Sequence, residues 1–185
     1  MSGDDRQELA GELRWPQMSG TYCREALWKT PPKAKIYEAL TAVGDNRVKL
    51  QAEHQAEVSS SDRTKTYIVE WTPDRRSITS NDNASYWQGY MGYPIVAVLM
   101  LLGSVDFHKE VADLLSGIPW KSLNKRFRNK YDNAIESVLA ELDAKGVDRD
   151  RISTEVESIV EQIERLNMGK MPRRRRPPRE HRPEK

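Results

Sequence analysis

The residues of this 185-residue chain best suited to chemistry are cations. Lys121, Lys125, Arg126, Arg128 and Lys130 occur in a stretch with no acidic residue from 121 to 131. Steps of four and three put Lys121, Lys125 and Arg128 on one side of a helix. Ammonium and guanidinium groups so spaced can meet successive phosphates and displace their counterions. The same spacing also serves a plain solvated face. A second cationic group is the segment GKMPRRRRPPREHRPEK, which holds Arg173, Arg174, Arg175, Arg176 and Arg179. It carries eight Lys/Arg and two Glu, a net +6, whereas the other 168 residues carry a net −4. The basic character therefore belongs to this segment. Flexible Arg/Pro segments attract polyanions without sequence preference; they also act as solubilising or targeting tails.

Catalytic chemistry is not indicated. His54, His108 and His181 are scattered, no Ser/His/Asp or Cys/His grouping emerges from spacing, and there is no Gly-rich phosphate loop. The single cysteine, Cys23, excludes a disulfide within the chain and an all-cysteine zinc site. No catalytic residue, metal ligand or cofactor is assigned. The longest apolar run, Ile95–Leu102, has eight residues, and a bilayer span needs about 20. No membrane partner is expected, and the first residues lack the apolar core of a secretory signal. The composition suits a soluble protein of a reducing compartment, cytoplasmic or nucleoid-associated.

Between the cations and the N-terminus lies an unusual stretch, SITSNDNASYWQGYMGYPIVAVLMLL, residues 77–102. Ser77, Thr79, Ser80, Asn81, Asp82, Asn83 and Ser85 are short polar side chains that bond to nearby backbone in tight turns. Tyr86, Trp87, Tyr90 and Tyr93 then supply a large apolar area with polar tips. Trp87 and Tyr90 are candidates for stacking on unpaired bases, where each stack contributes about 1–3 kcal/mol; packing into the core is the alternative. Asp82 with its amide neighbours could form a polar site or simply cap the turn.

A strand with alternating apolar residues (Thr66–Trp71), a polar turn, an aromatic spacer and a helix opening on Ile95-Val96-Ala97-Val98-Leu99-Met100 resemble the SWIM zinc-binding module, over about residues 66–102. That family places Cys-x-Cys after the strand and Cys-x-His at the head of the helix. Here those slots fall near Ile78 and Ser80, and near Gly92 and Pro94, and hold no ligand. The resemblance therefore implies a β-turn-α unit without zinc, held by hydrogen bonds and aromatic packing.

The elements that must position these groups follow from periodicity. Residues 1–30 read as a partly ordered arm whose Trp15, Tyr22 and Trp28 can each pack onto the domain. After Pro31-Pro32 the spacing of Ile36, Leu40 and Val43 predicts a helix over 33–43 with one apolar stripe. Four short segments, RVKLQ, QAEVS, TKTYIVEW and RSITSN, read as an antiparallel meander with Tyr67, Val69 and Trp71 on its buried face. The run YPIVAVLMLLG is apolar on nearly every side and predicts a buried helix. A shorter helix follows over about 106–116. Phe127, Tyr131, Ala134, Val138 and Leu142 predict one long helix over 121–143. Ile152, Val156, Ile159, Ile163 and Leu166 predict its antiparallel partner over 149–167.

The expected architecture is α+β: a small antiparallel sheet packed on a buried helix, with a C-terminal helical hairpin at about 121–167. One domain spans 31–168, and an Arg/Pro-rich tail, 169–185, ends ordered structure. The expected function is non-enzymatic binding of nucleic acid, DNA or RNA, with the basic helix face and the tail contacting phosphates. The alternative is a protein-interaction module or homodimer that pairs through the hairpin.

Overall fold

The computed structural model describes residues 26–172 and 175–178. Trp15, Tyr22, Cys23, Arg173, Arg174, Arg179 and His181 lie outside them. Pro32 stands just ahead of α1 (Lys33–Gly44), and its carbonyl accepts from the Lys35 amide at 2.8 Å. The apolar stripe of α1 suggested one buried side. Instead residues 34–42 are all buried, Lys35 and Glu38 included. The cause is the position of the helix. One flank packs on α2 (Tyr93–Leu101), and α3 (Lys109–Leu114), α5 (Tyr131–Asp143) and α6 (Arg149–Leu166) cover the rest. Gly44 permits the approach of α3, because a Cβ there would lie 2.2 Å from the Ala112 carbonyl oxygen.

On its other side α2 packs against the sheet. Strands β1 (Val48–Ala52), β2 (Gln55–Ser59), β3 (Thr66–Trp71) and β4 (Ser77–Ser80) form the expected antiparallel meander. Ala56, Val58, Val69, Trp71 and Ile78 are its buried side chains. At the edge strand β1, Leu50 remains 53% exposed. α2 is apolar all round and buried from Pro94 to Met100, so it forms the middle layer of the core.

Two expectations need correction. Gly169 does not end the ordered chain: Gly169–Lys170 is a fifth strand, β5, parallel to β4. The Gly169 amide donates to the Arg76 carbonyl at 2.8 Å, and the Trp28 amide donates to Met168 at 2.9 Å. Trp28 is buried, and its indole N–H donates to the Ile78 carbonyl at 3.0 Å. Both flanks of the domain therefore close on β4. A two-residue strand has no periodicity to announce it; its backbone partners do.

The long helix over 121–143 is the second correction. It is two helices, α4 (Trp120–Arg126) and α5, separated by a turn in which Arg128 (φ 52°) and Asn129 (φ 60°) are left-handed. The Asn129 amide closes the turn on the Asn124 carbonyl at 2.8 Å, the six-to-one bond of a helix stop. The apolar steps keep their phase through the break, so the pattern alone could not reveal it. Arg128 consequently lies beyond the helix and shares no helical face with Lys121 and Lys125. The hairpin that remains is α5 with α6. Asp148 caps α6 by accepting from the Asp150 and Arg151 amides at 2.9 and 3.1 Å.

α3 is tied to α6 through His108. Its Nδ1 lies 2.7 Å from Glu155 Oε2, and its backbone N–H donates to Oε1 at 2.6 Å. This hydrogen bond, with the carboxylate's charge, raises the His108 pKa above its ordinary 6.5. A raised folded-state value means stability that is complete below pH 6.5 and lost as pH rises through the shifted value. In His108→Ala the backbone bond persists but this decline disappears. Urea unfolding between pH 5.5 and 8.5 (a range of about three units around the histidine titration) should show a sloping midpoint for the parent and a flatter one for the variant.

Candidate functional site

A pocket of about 370 Å³ opens between α1, α4, the β2–β3 loop and the turn after β4. Its construction begins on α1. Lys35 and Glu38, one turn apart, both project from the buried helix into this space. Lys35 Nζ donates to both Glu38 oxygens, at 2.7 and 2.9 Å. Burial alone would lower the Lys35 pKa, but the adjacent carboxylate outweighs it and the net shift is upward. Lys35 also faces the Tyr131 ring, 4.8 Å from its centroid. Arg47, 3% exposed, forms the next wall. It donates to Asp45 at 2.9 Å and to the Ser59 carbonyl at 2.7 Å. Burial pushes the Asp45 carboxyl up, but donors from Gly117, Ser116 and Arg47 bring it below its usual range.

α4 supplies the opposite wall because Trp120 anchors it to α1. The Trp120 indole N–H donates to Thr41 Oγ1 at 2.8 Å, and its ring lies 6.2 Å from that of Tyr37. Lys121, Asn124 and Lys125, on the pocket side of α4, follow from that anchor. Asn124 donates to Glu38 Oε1 at 2.9 Å. Lys121 pairs with Asp62 at 2.6 Å and donates to Thr64 Oγ1 at 3.1 Å, which latches the β2–β3 loop to α4. Despite partial burial, the Lys121 ammonium and donors from Ser60 and Thr64 hold the Asp62 carboxyl far below the usual carboxylate range. The aromatic lining is Tyr67, Tyr93 and Trp120. Tyr67 and Tyr93 meet edge to face at 6.1 Å and 88°, and the Tyr93 hydroxyl donates to the Ser59 carbonyl at 3.2 Å. Burial drives the Tyr93 pKa well upward.

The polar turn closes the site. Asp82, 4% exposed, accepts from the Ala84 and Ser85 amides at 2.9 and 3.0 Å, all through Oδ1. Ser85 Oγ accepts from the Gly92 amide at 2.9 Å, and Ser80 Oγ from the Asp82 amide at 3.2 Å. These bonds carry the chain through a π-helical turn, Ala84–Gln88, into α2. Side-chain-to-backbone bonds therefore hold the turn, as its composition indicated. Among the described residues no group of three or more His, Cys, Asp or Glu is placed to hold a metal ion. Ile78, in a slot that the SWIM resemblance gives to a ligand, is a core residue 1% exposed.

The cations selected from sequence are brought partly together. Lys121 and Lys125 line the pocket. Arg126 is exposed with its guanidinium 5.4 Å from the Phe127 ring centroid. Arg128 and Lys130 are exposed in the turn after α4. Arg175 instead pairs with Glu70 at 2.7 Å, and Arg176 is exposed. Trp87 is 69% exposed, packed edge to face on Tyr86 at 4.6 Å, and Tyr90 is half-buried. Both stand near the pocket in sequence but outside its lining. Lys35, Glu38, Arg47 and Asn124 were not recognisable beforehand. The one available signal was a Lys and a Glu spaced by three on a helix flanked by apolar residues.

The family described as uncharacterised conserved protein UCP014422 matches residues 28–169. The chain belongs to that family. The matched UCP014422 region runs from the buried Trp28 to the first residue of β5, so it encloses every pocket-lining residue and leaves out the arginine run. No curated protein and no solved structure matches the chain.

Two stability measurements test this construction. Glu38→Gln leaves the Lys35 ammonium buried without a counter-charge and should cost about 3–5 kcal/mol in urea unfolding, whereas Lys35→Met/Glu38→Leu recovers most of the loss. A Cβ at residue 92 would lie 2.1 Å from Asp82 Oδ1. Gly92→Ala should therefore destabilise by about 1–3 kcal/mol, and adding Asp82→Ala should relieve part of it in the same measurement.

Proposed function

We propose that the protein binds nucleic acid without catalysing a reaction, and that the mouth of the pocket is where phosphates dock. One observation carries the reading. Lys125, Arg126, Arg128 and Lys130 are exposed, and none has a carboxylate partner among the described residues. Cations held for structural reasons in this fold are paired, as Lys35, Arg47 and Lys121 are. Four unpaired ones around one turn repel each other mildly and are relieved by a polyanion that releases its counterions. Exposed Trp87 offers a face for stacking on unpaired bases. The Arg/Pro segment adds an attraction without sequence preference. A cytoplasmic or nucleoid-associated location belongs to this reading; among the described residues no helix is long and apolar enough to cross a membrane.

The hairpin alternative has less support. Its stripes, Ala134 with Val138 and Ile152 with Val156, Ile159 and Ile163, are buried, and both helices pack on α1. Little apolar surface is left there for a partner.

Binding of single-stranded and duplex DNA and RNA should weaken linearly in log–log form as salt rises. Lys125→Ala/Arg128→Ala should weaken binding and reduce that slope by about one for each phosphate contact removed. Truncation after Met171, which preserves β5, should reduce affinity further. Binding that is absent at low salt, or insensitive to salt, would sink the proposal.

A further inference from the structure

We propose that the pocket holds one nucleotide unit, with the base edge directed to Asp82 and Asn124 and the phosphate at Lys125. The charges lining the pocket fall into two classes. Lys35, Arg47 and Lys121 each have a carboxylate of their own, Glu38, Asp45 and Asp62. Asp82 and Lys125 have no ion-pair partner among the described residues. Asp82 is buried and Lys125 exposed, so an inner acceptor and an outer cation remain to be engaged.

Hydrogen bonding sharpens the requirement. Asp82 Oδ1 is used by two backbone amides, but Oδ2 is buried without a partner. The Asn124 Nδ2 donor must face Glu38, which leaves Asn124 Oδ1 as a second buried acceptor without a donor. Buried acceptors left unmatched destabilise the protein, and native structures satisfy nearly all of them. Both belong to residues lining the same space, though the two atoms are themselves closed to solvent, so a ligand with two N–H donors satisfies both once their side chains turn toward it. A cationic amine is a poor candidate, because the lining holds four cations against two carboxylates, Glu38 and Asp82. A neutral donor edge fits. Among bases, guanine presents adjacent donors, N1–H and N2–H₂, on its pairing edge, and uracil presents only one N–H. The Tyr67 and Tyr93 rings give an aromatic wall for the base, and bases drawn from a stack are read by such edges and walls. The volume of about 370 Å³ falls in the range of about 300–1,000 Å³ typical of small-ligand sites. At the mouth, Lys125 stands next to the unpaired Arg126 and Arg128, so a phosphate there continues into the surface proposed for the polymer.

The inference rests on the nucleic-acid reading only for the source of the nucleotide, which is either free or a unit of a chain. Calorimetric titration of the full-length protein with GMP, AMP, CMP, UMP and inorganic phosphate tests the pocket, and a short single-stranded RNA tests the polymer. GMP should bind most tightly and UMP least, at Kd values of about 1 mM or below. Asn124→Ala and Tyr67→Leu should each weaken GMP about tenfold, with folding checked by circular dichroism. Lys125→Ala, on the surface, should weaken every mononucleotide. Absence of mononucleotide binding, indifference to all three variants, or inorganic phosphate binding as well as GMP each overturns the pocket proposal. RNA binding without GMP binding leaves the polymer reading standing and removes this one. GMP binding without RNA binding does the reverse and assigns the site to a free nucleotide.

Discussion

Lys35 and Glu38 are two full charges on a helix that the fold surrounds. Removing such groups from water costs more than a single contact returns, unless each is paired and its remaining bonding capacity met. Much of the surrounding structure can be understood from that constraint. Glu38 takes both the ammonium and the Asn124 amide; Lys35 is further faced by the Tyr131 ring. Asn124 can reach because Trp120 pins α4 to Thr41 on the same helix. Tyr131 can reach because the chain breaks after Arg126 and redirects α5. Two hydrophobic residues of similar volume often fill such a space at no greater cost, so the pair is not what stabilises the helix.

The polar turn is the second constraint, and it operates through the backbone. Asp82, Ser85 and Gly92 form a closed set: the carboxylate holds the start of the turn, the serine hydroxyl holds its end, and the missing Cβ at Gly92 makes room for the carboxylate. The turn places Asp82 in the pocket and Trp87 on the surface, five residues apart. A π-helical turn suits this because it widens the backbone and shifts the side-chain register within one turn. The same few hydrogen bonds thus shape the inner wall of the pocket and the exposed aromatic beside it.

Charge is distributed according to its use. Cations in the scaffold are met by carboxylates: Arg47 by Asp45 in the same turn, and Lys121 by Asp62 and Arg175 by Glu70 across elements. Among the described residues, the cations of the α4–α5 turn are not. Spacing along the chain put Lys121 and Lys125 in the same class as Arg128 and Lys130. The fold separates them, because Lys121 serves as a latch for the β2–β3 loop while its neighbours have no carboxylate partner among the described residues. The proposed function depends on that difference rather than on the total of basic residues.

The sequence by itself determined the α+β class, the antiparallel meander, the buried α2 and the hydrogen-bonded turn. Each of these rests on a local pattern: alternation over β3, an apolar run without a polar side in α2, and short polar side chains after Ile78. Only the tertiary structure decided the pocket. Lys35, Arg47, Asp82 and Asn124 are up to 89 residues apart in the sequence, and nothing local states that they converge. It also decided the burial of α1, whose polar residues suggested a solvated side, and the break after Arg126, which preserves the hydrophobic phase. Periodicity reports which face of an element avoids water. It does not report how many neighbours cover the element, and the placement of charges depends on that covering.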